Sequence, residues 1–154
     1  MNLILWRHCE AEDAVPDDAR ALTVRGRHQA ERMAKWLGGQ MPRHCEVICS
    51  PAVRARQTAD ALGVDYRIDD RLSPEADVTD YLAAVDWPEG PAASRGNVIV
   101  VGHQPVLGRL ASLLLAGQEA DWTVKKGAVW WLSTRDREGG RQLLLKAAVS
   151  PDLF

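Results

Sequence analysis

The sequence predicts an α/β fold of three layers, an α/β/α sandwich with a mainly parallel sheet, and three observations predict it. Short apolar runs rich in β-formers recur at Leu3–Trp6, Val47–Cys49 and Val98–Val101. Each has the length and composition of a buried strand. Stretches with helical periodicity separate them, and strand–helix alternation points to a parallel sheet covered on both faces. Each run also breaks off abruptly into polar residues, Arg7-His8 after the first, Ser50-Pro51 after the second and Gly102-His103 after the third. In open α/β sheets, ligands bind just beyond the carboxyl ends of the strands.

The 154 residues, 46% hydrophobic and 26% charged, suit one globular domain spanning 1–154 with one core. A net charge of −2 argues against a general nucleic-acid surface, which would be strongly basic. Three cysteines, Cys9, Cys45 and Cys49, are odd in number and lack metal-ligand spacing, so a reduced, cytoplasmic setting is expected. The opening MNLILWRHCE has too short an apolar run for a signal peptide, and no segment approaches the ~20 apolar residues of a membrane span.

The elements follow in order. Residues 9–22 form an acid-rich loop that leaves the end of the first strand and is free to fold back over it. Most of its acids read as solvated, and Arg20 is a candidate rim contact. From Thr23 to Leu37, Ala30, Met33, Ala34 and Leu37 mark one buried helix face, with Thr23 as N-cap and Gly38-Gly39 as the stop. His28 lies off that face and His44 in the following turn, so both read as surface histidines. Cys45 and Cys49 flank the second strand, too far apart along an extended chain for a disulfide. Ser50 then reads as N-cap and Pro51 as first residue of a second helix. Arg54 lies one turn into it, Arg56 reads as a solvated charge, and Gln57-Thr58 are placed to hydrogen-bond nearby.

A short strand is expected within Val64–Ile68, a loop over 69–75, and a short helix over Val78–Val85 capped by Asp77. Residues 86–96 are a Pro/Gly/Ala-rich surface loop. After His103, Pro105 sits where a helix begins. Leu107, Leu110, Ala111 and Leu114 form its apolar face and Gly117 its end. Ala128–Ser133 and Leu143–Val149 read as a hairpin joined through DREGG, an antiparallel edge to the sheet. Trp130 and Trp131 face opposite sides of that strand, so only one need be core. Lys125-Lys126 reads as a solvated pair, with a substrate-rim role as the weaker alternative.

If the three strands are parallel, Arg7, His8, Arg54 and His103 converge on one edge. Two arginines and two histidines there would repel one another without an anion between them. Arginine forks match phosphate oxygens, and a helix N-terminus favours an anion. The constellation predicts a phosphate site with a histidine able to attack phosphorus.

Arg7-His8 after the first strand, the Ser-Pro-x-x-Arg-Ala-x-Gln-Thr run at 50–58 and Gly102-His103 resemble the histidine phosphatase (phosphoglycerate mutase-like) superfamily. Leu22-Thr23-x-x-Gly26-x-x-Gln29-Ala30 and the short length resemble its compact SixA branch, the protein phosphohistidine phosphatases. The resemblance implies a phosphoglycerate mutase-like fold and a phosphohistidine intermediate on His8. Arg7, Arg54 and His103 would hold the phosphoryl oxygens, with His103 protonated. The other His8 nitrogen should donate to a backbone carbonyl and fix the tautomer. No metal or other cofactor is implied.

Many members of the superfamily carry an acid for an alkoxide leaving group. Glu75 is the candidate here, its alternative an exposed loop acid. The sequence departs from the superfamily at Cys9, where glycine is usual, and a cysteine beside a cationic site is a candidate for a lowered pKa and oxidation. Three readings are carried forward. The first is a monomeric phosphatase acting on a phosphohistidine protein. The second is a small-molecule phosphomonoesterase, and the third a non-catalytic phosphoprotein-binding module. Phosphate or sulfate would occupy the site in each, and neither nucleic acid nor membrane is an expected partner.

Overall fold

The apolar runs become strands because alternate residues find separate cores on the two faces of one sheet. Leu3, Leu5, Val98 and Val100 enter one core, while Ile4, Trp6, Val47, Ile99 and Val101 enter the other. The computed structural model describes residues 1–154. In chain order the elements are β1 (Asn2–Arg7), α1 (Val24–Gln40), β2 (Glu46–Cys49), α2 (Val53–Asp60), β3 (Arg67–Ile68), α3 (Val78–Ala84), β4 (Asn97–Gly102), α4 (Val106–Ala116), β5 (Val129–Arg137) and β6 (Gly140–Val149). The sheet has six strands in the order β3-β2-β4-β1-β5-β6. Pairing is parallel from β3 through β1, and β5 and β6 add an antiparallel edge. Residues of α1 and α2 cover one face, and residues of α3 and α4 the other. This is the three-layer α/β/α arrangement expected. No helix is long and apolar enough to cross a membrane.

Register sets the site. Arg7 pairs with Gly102 at the ends of β1 and β4, and Cys49 pairs with Val101 at the end of β2. The residues that follow those three ends, His8, Ser50 and His103, therefore emerge side by side.

Several boundaries differ from the sequence reading. Helix α1 runs through Gly38-Gly39 to Gln40, because buried Leu37 anchors the last turn and its carbonyl accepts from the Met41 N–H at 2.7 Å. Two exposed helical glycines, each costing about 1 kcal/mol, do not outweigh that anchor. Helix α2 starts at Val53 with Ala52 at its cap, so Ser50 lies outside it. The hairpin strands are longer than anticipated, since cross-strand pairing continues to Arg137 and Gly140 at the tip. Trp131 is buried, whereas Trp130 is only partly so.

The segment Leu22–Ala30 pins the loop that follows β1. The Thr23 hydroxyl accepts from the Gly26 N–H at 2.9 Å, and the Thr23 N–H donates to the Glu10 carbonyl at 3.0 Å. Gln29 accepts from the Glu10 N–H at 3.0 Å, and Gln57 of α2 accepts from the Leu22 N–H at 2.7 Å. Gly26 is needed for this closeness: a Cβ there would stand 2.0 Å from the Glu10 carbonyl oxygen. Backbone must then move. Gly26→Ala is predicted to destabilise the fold by about 1–3 kcal/mol, the usual cost of overpacking. A urea midpoint unchanged from wild type would contradict that role.

Candidate active site

Four side chains meet at the carboxyl ends of β1, β2 and β4, and each is held by a different part of the chain. Arg7, the last residue of β1, donates from Nη1 to the Val124 carbonyl at 2.9 Å. His8 follows it and is 7% exposed. Its Nδ1 lies 2.8 Å from the Cys9 carbonyl, so Nδ1 carries the proton and Nε2 keeps its lone pair. Burial first, then Arg54 and Arg7, lower the His8 pKa to about 4 against the pull of that carbonyl. The imidazole is neutral at physiological pH, with a free nucleophilic nitrogen.

His103 follows β4. Its backbone N–H donates to the Tyr81 hydroxyl at 3.1 Å, and Tyr81 donates on to the Leu72 carbonyl at 3.3 Å. Gly102 makes room for this: a Cβ there would stand 2.3 Å from that hydroxyl. His103 Nε2 lies 2.7 Å from the Ser50 hydroxyl, and Arg54 Nη2 approaches its Nδ1 at 3.5 Å. The His8 and His103 rings are 5.2 Å apart, tilted by 53°. Burial, His8 and Arg54 push the His103 pKa down to about 3. The protonated His103 expected from the sequence is therefore not the state the protein groups alone favour. A bound dianion would have to supply the stabilisation.

Arg54, 4% exposed, is gripped by the loop after β1. Its Nη1 donates to the Asp17 carbonyl oxygen at 2.9 Å and its Nη2 to the Asp17 carboxylate at 3.0 Å. Arg20 donates to the same carboxylate at 3.2 Å and to the Glu12 carbonyl at 2.8 Å. Burial works to raise the Asp17 pKa, but its bonds to Arg54 and Arg20 outweigh it and hold the carboxyl below the usual range. The Nε atoms of Arg7 and Arg54 are buried with no protein partner. Buried donors are rarely left so. The site thus offers unpaired donors and two arginines against one carboxylate, which is what a tetrahedral oxyanion requires.

The structure brings Arg7, His8, Arg54 and His103 together. It does not bring Glu75 to them: Glu75 is exposed in the turn before α3 and hydrogen-bonds to none of the four. Three participants escaped the sequence reading. In the sequence Asp17 is one of several loop acids, Ser50 fits a helix cap, and Tyr81 carries no signal beyond its apolar helix. Thr58 does bond beside the site, accepting from the Cys9 N–H at 3.0 Å and donating to the Arg54 carbonyl at 2.8 Å. Arg56 is half-buried rather than solvated, with an unpartnered Nε. Cys9 is fully buried, and burial pushes its thiol up to about 12. That overturns the suggestion of a lowered pKa, because desolvation outweighs the neighbouring cations. Lys125 and Lys126 join Arg7 around an open cleft of ≈ 380 Å³.

Comparison with known proteins agrees with this geometry. The family model for the histidine phosphatase superfamily (branch 1) matches residues 3–81. The chain is 34% identical to the phosphohistidine phosphatase SixA of Escherichia coli strain K12, covering 77% of this chain and 76% of that protein. It is 30% identical to a SixA homolog of Haemophilus influenzae, over 74% and 77% of the two chains. Among solved structures, the protein histidine phosphatase SixA complexed with tungstate superposes with a TM-score of 0.81 at 28% identity, covering 99% of each chain.

Two outcomes are predicted. Asp17→Asn removes the carboxylate that competes for Arg54, and should tighten inorganic phosphate binding about two- to five-fold, the worth of a partly exposed ion pair. Calorimetric titration checks this, and weaker binding would mean that Asp17 chiefly positions Arg54. Both histidines have pKa values below their unfolded value of about 6.5. Between pH 6.5 and about 4 the unfolded chain therefore binds more protons, and stability falls as pH falls. The slope reaches about 1.4 kcal/mol per pH unit for each histidine. Urea titrations across that window should show it, shallower in His103→Asn and shallower with phosphate present.

Proposed function

The chain belongs to the histidine phosphatase superfamily, and from that premise we propose that it is a phosphohistidine phosphatase acting on a phosphorylated protein. The observation that carries the reading is the His8 imidazole, neutral, with Nδ1 tied to the Cys9 carbonyl and Nε2 free beside Arg7, Arg54 and His103. His8 Nε2 attacks phosphorus in line with the leaving nitrogen. The new P–Nε2 bond forms as the substrate P–N bond breaks, and the departing imidazole leaves neutral because its other ring nitrogen already carries a proton. Water then attacks the phosphoryl group on His8 and releases inorganic phosphate. Arg7, Arg54 and His103 hold the equatorial oxygens in both steps, with His103 protonated once the dianion is bound.

The position of Glu75 supports a phosphoramidate over an ester. An alkoxide leaving group needs a proton donor, and the one acid expected to supply it stands exposed and unconnected to the four site residues. A P–N bond is weaker and the imidazole is readily protonated at its other ring nitrogen, so it needs less help. The similarity to SixA proteins points the same way, and tungstate, like phosphate, is the kind of oxyanion this site would take. The reading includes a monomer working in a reduced cytoplasm, where Cys9, Cys45 and Cys49 stay free thiols.

The test is a rate comparison between a phosphohistidine protein and an alkyl phosphate ester such as glycerol phosphate, whose alkoxide leaving group needs an acid. Rapid loss of phosphohistidine, a feeble ester rate and a loss of roughly 10³-fold or more in His8→Ala are expected. A strong ester rate that falls in Glu75→Gln would replace the reading with a small-molecule phosphatase. Stoichiometric phosphate binding without turnover would replace it with a binding module.

A further inference from the structure

The cleft beside Arg7 continues into a second one along the exposed side of α1. The first is ≈ 380 Å³ and the second ≈ 490 Å³, and they share Arg25, Gln29, Pro151 and Asp152. On α1, Arg25, His28, Gln29 and Arg32 fall at i, i+3, i+4 and i+7, one face of the helix turned away from the apolar one. That face spans about 10 Å of helix, the length of about three extended residues. Lys125 and Lys126 form the opposite bank next to Arg7.

This strip is basic on a chain whose net charge is −2. Its cations are loosely held. Arg25 is 79% exposed and lies 3.9 Å from Glu10, while Lys125 is 68% exposed and lies 3.5 Å from Asp152. Exposed pairs of this kind are worth little, so a partner's carboxylates can replace them. Lys126 and Arg32 are exposed and have no carboxylate partner at all. No hydrophobic residue lines the first cleft. An apolar peptide would gain nothing there.

We infer that the strip running from Arg7 along α1 docks an acidic, extended segment of the phosphoprotein substrate, placing its phosphohistidine at His8. This rests on the proposed phosphatase reading and adds a specificity surface to it. The segment's acids pair with Arg25, Arg32 and Lys126. Complementary charge of this kind speeds encounter and selects partners, and it is sensitive to salt.

The experiment uses the full chain with Arg25→Glu, Arg32→Glu and Lys126→Glu combined, beside a charge-keeping variant with Arg25→Lys, Arg32→Lys and Lys126→Arg. Each is assayed on an acidic phosphohistidine protein and on phosphoramidate. In the charge-reversed variant, kcat/KM for the protein should fall tenfold or more through KM and lose its salt dependence. Phosphoramidate turnover should stay within two-fold, and the charge-keeping variant should match wild type on both substrates. Polyglutamate should compete with the protein substrate in wild type and in the charge-keeping variant, and not in the charge-reversed one.

Unchanged KM for the protein, or equal losses on both substrates, would overturn the docking surface while leaving the phosphatase reading intact. Inhibition by a single-stranded oligonucleotide but not by polyglutamate would also overturn it. A wild type inactive on both substrates would overturn the reading beneath it as well.

Discussion

The convergence of four cationic or imidazole groups at three parallel strand ends is the constraint on which the rest of the structure depends. Such a cluster is electrostatically unfavourable when built from protein groups alone. Each member is therefore held by an acceptor from elsewhere in the chain. Val124 holds Arg7, Cys9 holds His8, Asp17 holds Arg54, and Ser50 holds His103. The acceptors come from the strap before β5, the turn after β1, the loop over the site and the end of β2. The fold spends its connections on keeping like charges close and leaves part of their hydrogen-bonding capacity unfilled. Lowered pKa values on both histidines follow from the same crowding and burial.

Two sides of this cluster behave differently. On the Arg54 side the loop reaches over with an internal anion, Asp17, and burial is nearly complete. On the Arg7 side the cleft is open and lined with exposed cations. A phosphoryl group must displace a carboxylate on one flank, whereas the group carrying it can extend along the other. Under the proposed reading this asymmetry would link catalysis to recognition, with Arg54 on the closed flank and Arg7 on the open one holding the same phosphoryl group.

Much of the fold and the core of the site were legible in the sequence. Apolar runs ending in Arg7-His8, Ser50 and His103 are local signals, and the sheet converts them directly into neighbours. Asp77 and Thr23 behave as the caps their sequence context implies. What was not legible depended on contacts across the chain. Asp17 is one acid among several in its loop, and only the return of that loop over α2 singles it out. Tyr81 sits in an amphipathic turn and reaches the site solely because Gly102 lacks a side chain. Ser50 matched a capping pattern, yet its hydroxyl, while still accepting from the Ala52 N–H, serves His103. The sequence shows the cationic neighbours of Cys9 but not the burial that dominates its chemistry.

The central claim is that Nε2 of His8 carries the phosphoryl group between substrate and water. It is tested most directly by rapid acid-free quenching during turnover of a phosphohistidine protein, followed by mapping of the phosphorylated residue and ring position. The account predicts a single acid-labile phosphoryl group on His8 at Nε2, because Nδ1 is committed to the Cys9 carbonyl. Phosphorylation at Nδ1, on His103, or on no residue while phosphate is released would contradict it.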